Sequence, residues 1–385
     1  MKIGIAMDSF KGSVTSLAAG LAVERGIKRV LPKAQIELCQ VSDGGEGSLE
    51  AIYGHCGGTW QRLKTVNLMF EPVEVDYLIS LIQGEKTAVI ESARIIGLHF
   101  IQPSESTVDQ SSSYGLGQVI KDAAGKGVKR VIVTLGGSGT TDGGLGLLQS
   151  LGAELFDEQK KLIGLTNPLR MIASLDIEPA LEFCRQSGIQ LEIANDVTNV
   201  YGGEAGAAFV FGPQKGASAS QCQWLNEQLL KVAAYGIETY DIDLQKVSGS
   251  GAAGGLGGAF CLLGAKMISG FELMSEVLNL AERLKGTSAI YTGEGSLDGQ
   301  SAAGKVPAGI AEIGNRYGIP VIALAGRRDQ SLGQLEGQLT AAFSIQLEPC
   351  SLAEALTKEK TEQGLETVAS QSIKLLQASF ASVDS

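Results

Sequence analysis

The sequence predicts an α/β protein: a doubly wound parallel sheet domain, a second, inserted α/β domain, and a cleft between them. Three observations predict it. Short β-branched or aliphatic runs alternate with amphipathic helical patterns, as in a parallel sheet covered on both faces. Glycine-rich segments follow several of these runs, where loops leave the carboxyl ends of strands. At 385 residues, 44% hydrophobic and 19% charged, the chain has the composition of an ordinary globular protein longer than one average domain.

In chain order, KIGIA (2–6) is the first strand. The helix Ser16–Val30 follows, its apolar face marked by Leu17, Leu21, Ile27 and Val30, with Glu24, Arg25, Lys28 and Arg29 solvated. QIELCQV (35–41) is the second strand and Glu46–Cys56 the next helix. Residues 59–107 read differently. QRLKTV, PVEVDYLISLI and KTAVIES are β runs with few helical signals between the first two, which suggests an antiparallel or mixed element. A helix over Asp109–Lys126 leads to the strand RVIVTL (130–135). Residues 151–284 interrupt the alternation with NPLRMIASLDI, the strand LEIAND and several helices. The regular pattern resumes with AIYT (289–292), the helix Ser301–Tyr317, PVIALA (320–325), LTAAFSI (339–345) and the helix Leu352–Gln377. This assigns 1–58, 108–150 and 285–385 to a Rossmann-like domain, and 59–107 and 151–284 to the second. Closing a cleft between them would exclude water from a transferable phosphate.

Composition excludes several classes of function. The 31 Lys and Arg against 42 Asp and Glu leave a formal charge of −11, which argues against a nucleic-acid footprint. The six cysteines are dispersed without a CxxC pair, so neither a zinc site nor a disulfide framework is expected, and a reducing cytoplasm fits best. The start MKIGIAMDSF reads as a strand and not as a signal peptide, and no apolar run is long enough to span a bilayer. His55 and His99 are read as ordinary surface or loop histidines.

Four glycine-rich loops carry the chemistry: DSFKGS (8–13), SDGGEGS (42–48), GGSGTTDGG (136–144) and TGEGSLDGQSAAGK (292–305). Glycine lets backbone N–H groups approach a polyanion closely, and a helix start after the loop adds attraction. Acids beside such loops would repel a phosphate unless a divalent cation lies between them or they act on a substrate hydroxyl. Mg²⁺-dependent phosphoryl transfer satisfies both halves of that argument. In GGSGTTDGG, Ser138, Thr140 and Thr141 add hydroxyl donors, and Asp142 either caps the following helix or holds a cation. No GK[ST] closes the loop, so it is not a Walker A sequence. Lys11 is a candidate anion clamp, Asp43 and Glu46 straddle two glycines, and the last loop carries Glu294, Asp298 and Lys305, with Ser301 as a candidate helix N-cap. Asn195, Asp196 and Lys215, in ANDVTNVYGG and VFGPQKGAS, are further candidates. GSGAAGGLGGAF (249–260) allows close helix packing or close approach to a ligand.

The series DSFKGS, DGGEG, GGS…DGG, ND at 195–196, FGPQKGA, GAAGGLGG, TGEG…DGQ…GK and ALAG resembles, in that order and along nearly the whole chain, the bacterial type I glycerate kinases. The resemblance implies one Rossmann-like and one inserted α/β domain. It also implies transfer of the ATP γ-phosphoryl group to D-glycerate with Mg²⁺, favouring the 2-hydroxyl over the 3-hydroxyl. On that basis Asp43 orients or deprotonates the accepting hydroxyl, with Asp8 as its rival, and Lys11 and Asp196 complete the catalytic candidates. Gly136, Gly137, Ser138, Thr140, Gly293, Glu294 and Lys215 are candidates for the nucleotide; Ser9, Glu46 and Asn195 for glycerate; Asp298 and Glu294 for the metal. Met7, Ile96 and Thr141 stand where the family usually has Pro, Ser and Asn. Two other classes share such loops: a nicotinamide-dependent oxidoreductase, which should show a clean GxGxxG after one strand, and a non-catalytic sensor of small anions.

Overall fold

The computed structural model describes residues 1–42, 44–45, 47–299 and 305–381. The strands are β1 (Lys2–Met7), β2 (Gln35–Leu38), β3 (Thr59–Val66), β4 (Pro72–Ile82), β5 (Glu85–Glu91), β6 (Arg130–Thr134), β7 (Glu154–Phe156), β8 (Ser174–Asp176), β9 (Gln190–Ala194), β10 (Lys266–Ile268), β11 (Ala289–Leu297), β12 (Val321–Arg328) and β13 (Ala341–Ser344). The chain divides into two compact units, Met1–Asp43 with Glu50–His55 and Gly270–Ser385, and Gly44–Leu49 with Cys56–Ser269. The fold is mixed α/β with mostly parallel sheets.

The first unit holds the sheet β13-β12-β11-β1-β2, parallel at every pairing. Strand periodicity places alternate residues on opposite faces. Ile3, Ile5, Tyr291, Ile322 and Leu324 pack with the helices Ser16–Val30 and Lys358–Ala381, while Ala323, Ala325 and Leu297 pack with Ala308 and Ala311 of the helix Val306–Tyr317. Helices therefore cover both faces. In Ser16–Val30 the buried stripe is Ala19, Ala22, Val23, Gly26 and Ile27, whereas Leu17 and Leu21 stay about 40% exposed, which overturns the expected apolar face for those two residues. The reason is a close crossing with the C-terminal helix, where a Cβ at Gly26 would stand 2.2 Å from the Glu366 carbonyl oxygen. Small residues face the partner helix and the leucines are turned outward.

The second unit holds β10-β9-β6-β5-β4-β3, parallel from β10 to β5 and antiparallel through β4 and β3. This is the mixed element expected over 59–107. The expected assignment of 108–150 to the first domain does not hold, because β6 is hydrogen-bonded between β5 and β9 and so belongs to the second unit. Residues 270–284 move the opposite way. They join the first unit, where the Phe271 ring fills the space a Cβ would need at Gly309.

Three expected elements change extent. Asp109–Lys126 is two helices, Glu105–Gln110 and Tyr114–Gly125, because Ser112 and Ser113 bond elsewhere: the Ser112 N–H donates to the Leu68 carbonyl oxygen and the Ser113 N–H to Asp142. The C-terminal helix is likewise divided, Leu352–Ala355 and then Lys358–Ala381. TGEGSL is strand rather than loop, since β11 runs on to Leu297 and Ser296 pairs with Arg327 of β12. Ser301 lies outside the described residues, and the following helix starts at Val306 with Lys305 in the cap position.

Candidate functional site

In the first unit the chain order reverses between β1 and β11: β2 lies beyond β1, and β12 and β13 lie beyond β11. Open parallel sheets bind small ligands outside the carboxyl ends of strands at such a reversal. The register puts Met7, Gly293, Leu324 and Phe343 in one row, with Asp8 and Glu294 the next residues along β1 and β11. The Asp8 N–H donates to the Gly293 carbonyl oxygen at 2.8 Å, and the Asp8 carboxylate accepts from the Ser9 N–H at 2.6 Å. Asp8 and Glu294 are buried, Ser9 and Asp298 half-buried, and Lys11 exposed. The Phe10–Val14 bridge folds residues 8–15 into a tight turn with Lys11 and Gly12 at its tip, and Thr15 caps the next helix by accepting from the Ala18 N–H at 3.3 Å. The backbone of Phe10 and Lys11 comes within 3.7 Å of where a Cβ would stand at Gly295. Lys305 pairs with Glu294 at 3.8 Å. A Cβ at Gly293 would stand 1.9 Å from the Leu324 carbonyl oxygen and 2.6 Å from Met7 Cε, so this glycine serves the packing of three strands.

In the second unit Glu91, Thr134 and Ala194 end β5, β6 and β9 in one register row, so the segments after them leave a single edge. The loop after β6 is held on every side. The Leu98 N–H donates to the Gly137 carbonyl oxygen at 2.9 Å, and the Gly139 N–H to that of Ile96 at 2.8 Å. Lys215 is 2% exposed, and its Nζ donates to the Thr140 carbonyl oxygen at 2.6 Å and to Ser138 Oγ at 3.3 Å. Burial pulls its amine down from the ordinary lysine range to about 7, with the Asp142 charge opposing the fall.

Asp142 is fully buried and accepts from the Ser113 N–H and Oγ–H, from Ser112 Oγ–H and from the N–H groups of Gly144 and Gly146. The last two of these bonds lie at the start of the helix Leu145–Leu151, whose cap residue is Gly144. The glycine-alanine segment packs onto the same loop: Ala253, Gly254 and Gly255 take φ of 52°, 72° and 95°, and a Cβ at Gly254 would stand 2.1 Å from the Thr140 carbonyl oxygen. Its glycines serve close packing. The Asn195 side chain closes a turn on Val197, donating to the carbonyl oxygen at 2.8 Å and accepting from the N–H at 3.1 Å. Asp196 follows it on the exit from β9.

The structure thus gathers Asp8, Ser9, Lys11, Gly293, Glu294 and Asp298 in the first unit, and Gly136, Gly137, Ser138, Thr140, Asn195, Asp196 and Lys215 in the second. Asp43 and Glu46 lie outside the described residues. Among the described residues, no group of three or more His, Cys, Asp or Glu side chains is gathered as a ready metal site. Glu91, not among the residues singled out in the sequence, ends β5 in the same register row as Thr134 and Ala194. Its buried carboxylate, closing the apolar run KTAVIE, accepts from the Leu49 N–H at 3.1 Å and from Arg94 Nε at 2.7 Å.

A parallel sheet whose order reverses between two acid-bearing strand ends is the layout on which α/β proteins take small ligands. The family model described as the glycerate kinase family matches residues 3–377. The chain is 40% identical to the glycerate kinase of Halalkalibacterium halodurans over 361 residues, covering 92% of this chain and 93% of that protein. It is 36% identical to the glycerate 2-kinase of Escherichia coli K12 over 352 residues, 90% of each chain. Among solved structures, the Salmonella typhimurium LT2 protein assigned as glycerate kinase 2 is similar, with a TM-score of 0.84 and 34% identity over 99% of both chains. The chain belongs to the glycerate kinase family and is an enzyme of that class.

Proposed function

We propose that the protein transfers the γ-phosphoryl group of ATP to the 2-hydroxyl of D-glycerate, with Mg²⁺, in the cytoplasm. The observation that carries this reading is the placement of Asp8, Lys11, Glu294 and Lys305 around the reversal between β1 and β11. Acids and lysines alternate there beside an open turn: apart from its chain neighbours, no described atom lies within 4 Å of where a Cβ would stand at Gly12. Carboxylates are the hard oxygen donors that Mg²⁺ takes, so the residues present fit the ion. Glu294 and Asp298 would hold it, and when bound it neutralises phosphate charge. The 2-position is supported by the alignment with the Escherichia coli glycerate 2-kinase over 90% of the chain.

Phosphoryl transfer asks for in-line alignment and neutralisation of spreading charge more than covalent help. Lys11 serves as a mobile cation for an oxyanion. The N–H groups of Gly136 and Gly137, with the hydroxyl of Ser138, serve the phosphates, and Gly293 and Glu294 flank the nucleotide; the Thr140 hydroxyl, expected to join them, is buried and donates to the Ser111 carbonyl oxygen at 3.3 Å. Ser9, Glu46 and Asn195 serve glycerate. Asp43 orients or deprotonates the accepting hydroxyl, Asp8 and Asp196 being the other catalytic candidates.

Purified protein with ATP, Mg²⁺ and D-glycerate tests the reaction, with product read through enolase in the presence and absence of phosphoglycerate mutase. Signal without mutase establishes 2-phosphoglycerate. Signal only with mutase moves the reaction to the 3-hydroxyl, and no ATP consumption rejects D-glycerate as acceptor.

A further inference from the structure

We infer that Lys215 is a positioning residue: its amine holds the Gly136–Thr140 loop from beneath and acts on the nucleotide only through that loop. The side chain is 2% exposed and spends its amine on the loop itself, on the Thr140 carbonyl oxygen and Ser138 Oγ. A lysine that met a phosphate as a point charge would need its head at the surface. This one ends under a backbone carbonyl.

Its own backbone is fixed. The Lys215 N–H donates to the Gly212 carbonyl oxygen at 3.0 Å within the turn Pro213–Lys215. Gly216 follows at φ 98°, where a Cβ would stand 2.2 Å from Ser104 N. An anchored stem therefore carries the amine. The loop it reaches is bonded to residues 96–98 on one side and packed by Gly254 on the other, so Lys215 completes a clamp on the Ser138–Thr140 backbone. A neutral amine still donates two hydrogens, so the clamp survives the depressed pKa.

The catalytic half of this inference rests on the reading that the Gly136–Thr140 loop serves nucleotide phosphates; the structural half does not. The test is hydrogen exchange of the amides of residues 136–141 in nucleotide-free protein, wild type against Lys215→Met, together with kcat and the KM values for ATP and D-glycerate. The expected result is at least tenfold faster exchange confined to the loop. With it, kcat should fall at least a hundredfold, while the KM for D-glycerate changes less than threefold.

Unchanged loop exchange alongside a fallen kcat would show direct contact with the nucleotide and overturn the inference, as would faster exchange with unchanged kcat. If the Met variant loses protection throughout the unit, Lys215→Gln decides: a neutral donor should keep loop exchange within tenfold of wild type, and a loop as mobile as in a chain lacking any donor refutes the clamp. Absence of ATP turnover in the wild type would count against the reaction, and the exchange comparison would still stand.

Discussion

Replacing Lys215 by Met should change how stability depends on pH, and the size follows from the burial of its amine. The folded-state pKa is about 7 against an ordinary value of 10.5, so between those limits the unfolded chain binds a proton that the folded chain does not. Unfolding free energy rises with pH wherever the unfolded state binds more protons, so wild-type protein gains stability as pH rises through this window and loses it again as pH falls towards 7. Each pKa unit corresponds to about 1.4 kcal/mol. Integrated from pH 7.5 to 9.5, the wild type should gain roughly 2–3 kcal/mol relative to Lys215→Met, in which this titration is absent and the other groups cancel. Trp60 and Trp224 are the two tryptophans, and both lie in the second unit with Lys215, so tryptophan fluorescence in urea reports that unit. Unfolding curves at the two pH values give the difference directly. A wild-type to variant difference that is the same at both would refute the account of Lys215 as a buried, mostly neutral amine at alkaline pH.

Gly254→Ala should cost roughly 2–4 kcal/mol in thermal unfolding, because it combines a left-handed backbone with a Cβ driven onto the Thr140 carbonyl oxygen. Asp142→Asn turns an amide donor towards groups that already donate, and should destabilise by about 2–4 kcal/mol by the same measurement. Leu17→Ser and Leu21→Ser should each change stability by less than roughly 1 kcal/mol, whereas Ile27→Ala, deep in the helix crossing, should cost about 2–5 kcal/mol. Equal costs at Leu21 and Ile27 in urea titrations would contradict the observed burial. Asp43→Asn should lower kcat by about a hundredfold or more if Asp43 acts on the accepting hydroxyl; full turnover with unchanged affinity for glycerate would remove it from that role.

Where order along the chain was enough, the sequence carried the answer. The helix Ser16–Val30 and the strand KIGIA (2–6), which extends to Met7, follow from local periodicity. Glycine at the turns was legible because positive φ demands that residue type, as at Gly12 and Gly137. The family followed from the same motifs.

What sequence periodicity could not supply was which strands pair and which way side chains finally turn. RVIVTL reads as a strand of the first domain's regular alternation, and only its hydrogen bonds to β5 and β9 put residues 108–150 in the second unit. Leu17 and Leu21 form an apolar pair on paper, but the close approach of two helices at Gly26 selects the small residues for burial. Lys215 reads in sequence as a nucleotide ligand and Asp142 as a helix cap or a cation holder; long-range contacts bury both and give their hydrogen bonds to backbone and serine partners. By itself the sequence determined the alternation of strands and helices and the family, because these depend on neighbours along the chain. Sheet membership, the buried helix face and the division between residues that face solvent and residues that hold the loop were decided by tertiary structure alone, since each depends on what packs across from a residue.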